Sequence, residues 1–117
     1  MGCPVVHWEI AGNDGAATQG FYRQLFDWPV QVHKEMGGYV MVPGPENGPG
    51  IGGGIMKSMG PQPYVTIYVQ VDDLQAYLDK AESLGGKAVV PPTPIPHVGS
   101  FAMFTDPDGN MVGLFKG

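Results

Sequence analysis

Residues 4–11, PVVHWEIA, place Val6, Trp8 and Ile10 on one side of an extended chain and Val5, His7 and Glu9 on the other, which predicts a strand. The period then changes. Across NDGAATQGFYRQLFDW, Ala17, Phe21 and Leu25 recur at four-residue spacing, which predicts a helix capped by Asp14 and stopped by Pro29. Short strands follow at 30–35 and 38–43, then a GPENGPG loop and a glycine-rich strand, IGGGIMK.

The second half repeats this order. YVTIYVQV reads as a strand. DDLQAYLDKAESLGG is the clearest helix, with Leu74, Tyr77, Leu78, Ala81 and Leu84 as its apolar stripe and Asp79, Lys80 and Glu82 facing water. Asp72 with Gln75 forms a capping-box-like start, and Gly85-Gly86 ends the helix. KAVV is a short strand, and PPTPIP is a rigid connector that cannot pair inside a sheet. A hairpin of 98–105 with 110–115 closes the pattern, turned at Pro107 and Gly109.

The halves superpose without a gap at a shift of 59 residues: Asp14 falls on Asp73, Leu25 on Leu84, His7 on Thr66, Glu9 on Tyr68 and Gly54 on Gly113. Each half is therefore strand–helix–strand–strand–strand. This predicts one α+β domain over 1–117, with module one at 1–58 and module two at 63–117.

Composition narrows the partners. A net charge of −5 with only six Lys and Arg argues against nucleic acid and against an anionic membrane surface. No apolar run approaches the roughly 20 residues that span a bilayer, and no leader-like segment opens the chain, so a cytoplasmic protein is expected. Cys3 is the single cysteine, which excludes an internal disulfide and a cysteine-based zinc motif. GPGIGGG lacks the Lys-Ser/Thr of a phosphate-binding loop and no helix follows it, so a nucleotide site is rejected.

Several stretches carry a family likeness: HWEI, FYRQLFDW with Phe21 fourteen residues after His7, YVQVDDL, AESLGGKAV and FTDPDGNMVGLF. Together they resemble the vicinal oxygen chelate superfamily of glyoxalase I, extradiol dioxygenases and bleomycin-resistance proteins, and most of all its small glyoxalase-like proteins related to lactoylglutathione lyase. The resemblance implies that the paired βαβββ modules wrap a mixed, mainly antiparallel sheet into a cup with the two helices outside. It also implies a homodimer, which open sheet edges favour on physical grounds.

Metal-binding members carry ligands on the first and last strands of each module. By the resemblance those places fall here on His7, Gly54, Thr66 and Gly113. A divalent ion needs several N, O or S donors at about 2.0–2.6 Å, and one imidazole with two glycines does not supply them. No metal or other cofactor is therefore expected. The strand glycines have two readings: room for a ligand, or close packing and bending of the strands.

Two residues apart on a strand, His7 and Glu9 point the same way. With Tyr68 on the equivalent strand they could transfer protons, or they could be a hydrogen-bonded lining. Met56 and Met111 lie two residues from Gly54 and Gly113 and offer an adaptable apolar wall. His33 and His97 are expected at the surface. The expected function is a metal-free binder of a small neutral or cationic organic molecule, contacted by His7, Glu9, Gly54, Met56, Thr66, Tyr68, Met111 and Gly113. The alternative is a glyoxalase-like lyase or isomerase with Glu9 or His7 as base.

Overall fold

A computed structural model describes residues 2–33, 39–46 and 49–117. Among these residues lie eight strands and two helices: β1 (Val5–Gly12), α1 (Gly15–Phe26), β2 (Gln31–His33), β3 (Tyr39–Val42), β4 (Gly53–Lys57), β5 (Tyr64–Gln70), α2 (Leu74–Ser83), β6 (Lys87–Ile95), β7 (Gly99–Thr105) and β8 (Met111–Lys116). They group into two compact units. Module one is His7–Val65; module two is Thr66–Gly117 with Met1–Val6.

The modules share one topology, as the repeat predicts. In module one the strand order is β2-β3-β4-β1, with β1 parallel to β4 and the other pairings antiparallel. In module two the order is β5-β8-β7-β6, again with the first strand parallel to the last and the rest antiparallel. Each is a βαβββ unit with a mixed, mainly antiparallel sheet and one helix against it. None of the described helices is long and apolar enough to cross a membrane.

The helix caps follow the repeat more closely than the capping-box reading does. Asp14 accepts the amide of Ala17, and its counterpart Asp73, rather than Asp72, accepts the amide of Ala76. Asp72 stands one residue too early for its carboxylate to serve the first turn, and Gln75 bonds forward to Asp79 instead. Helix α2 closes as expected: Gly85 takes φ +99°, and the Gly86 and Gly85 amides return to the carbonyls of Ala81 and Glu82. The last hairpin is pinned by Asp106, whose carboxylate accepts the amides of Asp108 and Asn110 and the Asn110 side chain. These hydrogen bonds, Asn110's side chain foremost, hold the Asp106 carboxyl below its ordinary pKa.

Two readings of the pattern need correction, and the apolar stripe of α1 proves to be exposed. The PPTPIP segment is not a free connector. Residues 91–95 belong to β6, which pairs with β7 through two register shifts and forms the edge of its sheet, the place in a sheet where proline is tolerated. The Ala17–Phe21–Leu25 stripe is not a core face: α1 buries no residue, and Phe21 and Leu25 are 59% and 57% exposed. In module two, Leu74 and Leu78 do enter the core, with Val71, Ala102 and Leu114, but Leu84 is the exposed C-cap. Residues 34, 35 and 38 of the predicted strands, and the middle of the GPENGPG loop, fall outside the described residues.

Module one is consolidated differently. Val40, Val42, Ile55 and Ala11 are buried in its sheet. Trp28 gathers Trp8, Tyr22 and Phe26 at ring-centroid distances of 5.0, 5.9 and 4.9 Å. Gln19 ties α1 to β4 through the Ile55 carbonyl at 3.0 Å.

Candidate functional site

In β1 the alternation places His7 and Glu9 on one face, and Glu9 is 3% exposed. Between β1 and β3 runs β4, with Gly54 level with Glu9 on one side and Met41 on the other. Strands two apart are about 9–10 Å distant, so a β3 side chain reaches β1 only by crossing over β4. Tyr39 does this at Gly54. A Cβ at Gly54 would lie 1.9 Å from the Tyr39 hydroxyl and 2.0 Å from the ring carbon that bears it.

The crossing brings three groups together. The Tyr39 hydroxyl donates to Glu9 Oε2 at 3.1 Å and lies 2.8 Å from His7 Nε2. With its proton directed at Glu9, the phenol receives the Nε2–H of His7, which fixes the imidazole tautomer. Burial lowers the His7 pKa and keeps the ring neutral near pH 7. The order is imidazole, phenol, carboxylate, suited to passing a proton or presenting a polar lining.

Tyr64, at the start of β5, belongs to the same module. Its hydroxyl oxygen is buried and makes no hydrogen bond among the described residues. Burial first, and the Glu9 charge second, push its pKa up to about 12; the Met59 backbone amide works weakly against the rise without reaching bonding geometry.

Module two uses the same register with different chemistry. Tyr68 stands opposite Gly113, as Glu9 stands opposite Gly54. A Cβ at Gly113 would lie 2.4 Å from the Tyr68 ring. Tyr68 is buried, its hydroxyl 4.0 Å from Met103 Sδ and its ring edge-on to Phe101. Buried Thr66 donates to the Met111 carbonyl at 2.6 Å. Tyrosine rings of the same module thus lie where a side chain at Gly54 or at Gly113 would begin, an arrangement that the close-packing reading of these glycines expects. Gly53 follows the same rule beneath Trp8.

The predicted residues are therefore brought together within each module: His7, Glu9 and Gly54 around Tyr39, and Tyr68 with Gly113 beside the Thr66–Met111 bond. Met56 is half-buried on β4. His97 is exposed in a turn at φ +64°; the side chain of His33 lies outside the described residues. Sequence reasoning missed Tyr39 and Tyr64. The available signal for Tyr39 was a tyrosine on a strand next to a glycine-bearing one, the pairing in which a ring covers a bare backbone; Tyr64 had none.

The donors at the family's ligand places do not fit a metal site. Gly54 and Gly113 bring no donor and carry a ring where a side chain would begin. No three His, Cys, Asp or Glu side chains converge among the described residues.

Comparison with known proteins gives a consistent result. The family described as Glyoxalase/Bleomycin resistance protein/Dioxygenase superfamily matches residues 5–114. A protein named "Putative glyoxylase CFP32" is 28% identical over 120 residues in both Mycobacterium bovis and Mycobacterium tuberculosis, covering 92% of this chain. The chain spans 43% of the length of these relatives. Among solved structures, methylmalonyl-CoA epimerase from Streptomyces coelicolor with 2-nitronate-propionyl-CoA matches with TM-score 0.62 and 16% identity, covering 99% of this chain and 95% of the other. The epimerase from Mycobacterium tuberculosis gives 0.63 and 14%, over 96% and 86%. A superfamily member from Vibrio splendidus gives 0.61 and 14%, over 98% and 99%.

Proposed function

The chain belongs to the Glyoxalase/Bleomycin resistance protein/Dioxygenase superfamily, and from that premise we propose that it binds a small organic molecule without a metal. One observation carries the reading. At the places where metal-binding members have carboxylates, this chain has glycines roofed by Tyr39 and Tyr68, while half-buried His7 and buried Glu9 are bridged by the Tyr39 hydroxyl. The polar end of the site is His7 and Glu9, with Met56 as adaptable apolar lining. The similar epimerase structure that holds a CoA ester supports a small-molecule partner.

The second reading is a glyoxalase-like lyase or isomerase, in which Glu9 is the base. It is favoured by a buried carboxylate that a phenol orients. Loss of turnover in Glu9→Gln, with binding retained, separates it from the first.

The reading includes a cytoplasmic homodimer. Support for self-association comes from apolar surface: Phe21 and Leu25 on α1, and Val65 at 71% exposure.

Native mass spectrometry with elemental analysis of freshly purified protein tests these points together. The expected result is a dimer mass, a co-purifying or titratable small molecule, and no stoichiometric metal. Near-stoichiometric Zn, Ni, Mn or Fe that disappears in His7→Ala overturns the metal-free reading.

A further inference from the structure

Tyr64 carries a hydrogen-bond donor that the fold does not use. Its hydroxyl is buried, and no group among the described residues bonds to it. The nearest backbone influence, the Met59 amide, is itself a donor and stops short of bonding geometry, so it offers the O–H hydrogen no acceptor. Leaving a buried hydroxyl unmatched is costly, so such a proton is normally answered by water or by a ligand. The neighbourhood restricts the answer. Glu9 is buried nearby and its charge opposes ionisation of the phenol, so Tyr64 remains a donor and a second anion beside it is disfavoured. Around the same carboxylate, Tyr39 and His7 are already bonded to each other.

We propose that Tyr64 Oη–H is a specificity-determining contact that receives an uncharged carbonyl oxygen of the ligand beside Glu9. The inference rests on the small-molecule-binding reading and adds the ligand's chemical class: a neutral ketone, aldehyde or amide, not a carboxylate or phosphate. Carbonyl recognition here needs no metal, because the phenol supplies the polarising group.

The test uses Tyr64→Phe in the full chain and three matched probes: acetophenone, which has the carbonyl; ethylbenzene, which lacks it; and benzoate, which replaces it by an anion. Affinities come from ligand-observed NMR titration and unliganded stability from thermal melting. The expected result is an unliganded melting temperature that is unchanged or higher in Tyr64→Phe, because an unmatched hydroxyl has been removed. Acetophenone should bind the wild type about two- to tenfold more tightly than it binds the variant, the range of one neutral hydrogen bond. Ethylbenzene should not distinguish the two proteins, and benzoate should bind neither. A lower melting temperature in the variant overturns the proposal, since the hydroxyl then has a structural partner. Acetophenone binding equally to both proteins, or to neither, also overturns it. Equal binding leaves the small-molecule reading standing, whereas failure of the wild type to bind any member of a broad neutral library removes that reading as well.

Discussion

Replacing Gly54 by alanine should damage module one through a residue on another strand. The new Cβ would stand 1.9 Å from the Tyr39 hydroxyl. Carbon and oxygen need about 3.5 Å, so the ring has to withdraw by roughly 1.5 Å. The hydrogen bonds at 2.8 and 3.1 Å to His7 and Glu9 do not survive such a shift. One neutral bond and one to a charged partner contribute about 2–4 kcal/mol together. Alanine in a strand returns about 0.5–1 kcal/mol over glycine, leaving a net loss of about 1.5–3 kcal/mol. The mechanism makes a sharper claim about sign. In a Tyr39→Ala background the three atoms nearest that Cβ are gone, so the same Gly54→Ala change should stabilise by about 0.5–1 kcal/mol. Urea unfolding of the four proteins in one double-mutant cycle reads the coupling directly. An equal effect of Gly54→Ala in both backgrounds would show that Tyr39 is not what the glycine accommodates.

Three further outcomes follow from the same geometry. Gly113→Ala should destabilise module two by about 1–3 kcal/mol through overpacking against Tyr68; relief of that loss in Tyr68→Ala, by the same unfolding assay, checks the cause. The lowered His7 pKa means that the unfolded chain takes up the proton first, so stability should fall as pH drops below the ordinary value of 6.5, toward the lower folded value. Urea midpoints between pH 8 and 5 should show this slope flattened in His7→Gln, and identical slopes would refute it. Asp73→Ala should cost about 1 kcal/mol and Asp72→Ala much less, a contrast that thermal melts settle and that the capping-box assignment reverses.

The sequence made some of this legible because the controlling interactions are local or periodic. Asp14, Gly85-Gly86 and the Asp106 turn act within a few residues, so composition and spacing reveal them. The gapless repeat conveyed the shared topology, whereas motif reading chose Asp72 for the second cap although the repeat sets Asp73 against Asp14. What stayed hidden depends on which strand lies beside which. Tyr39 belongs to the site only because β4 intervenes between β3 and β1 and is bare at Gly54. Likewise, the α1 stripe has the spacing of a buried face, and only the packing of α1 against β4 leaves Phe21 and Leu25 outside.

The prolines of β6 have a bearing on how this protein survives at high concentration. A terminal strand normally presents a row of unmatched amides and carbonyls that can template another chain, the first step toward fibrils. Pro91, Pro92 and Pro94 interrupt that row, and the register shifts at Ala88, Val90 and Thr93 break its regularity. A strand arriving from a neighbouring molecule would find too few donors to lock into register. Removing these prolines should therefore leave the folded state competent while making this edge of the sheet a nucleus for polymerisation.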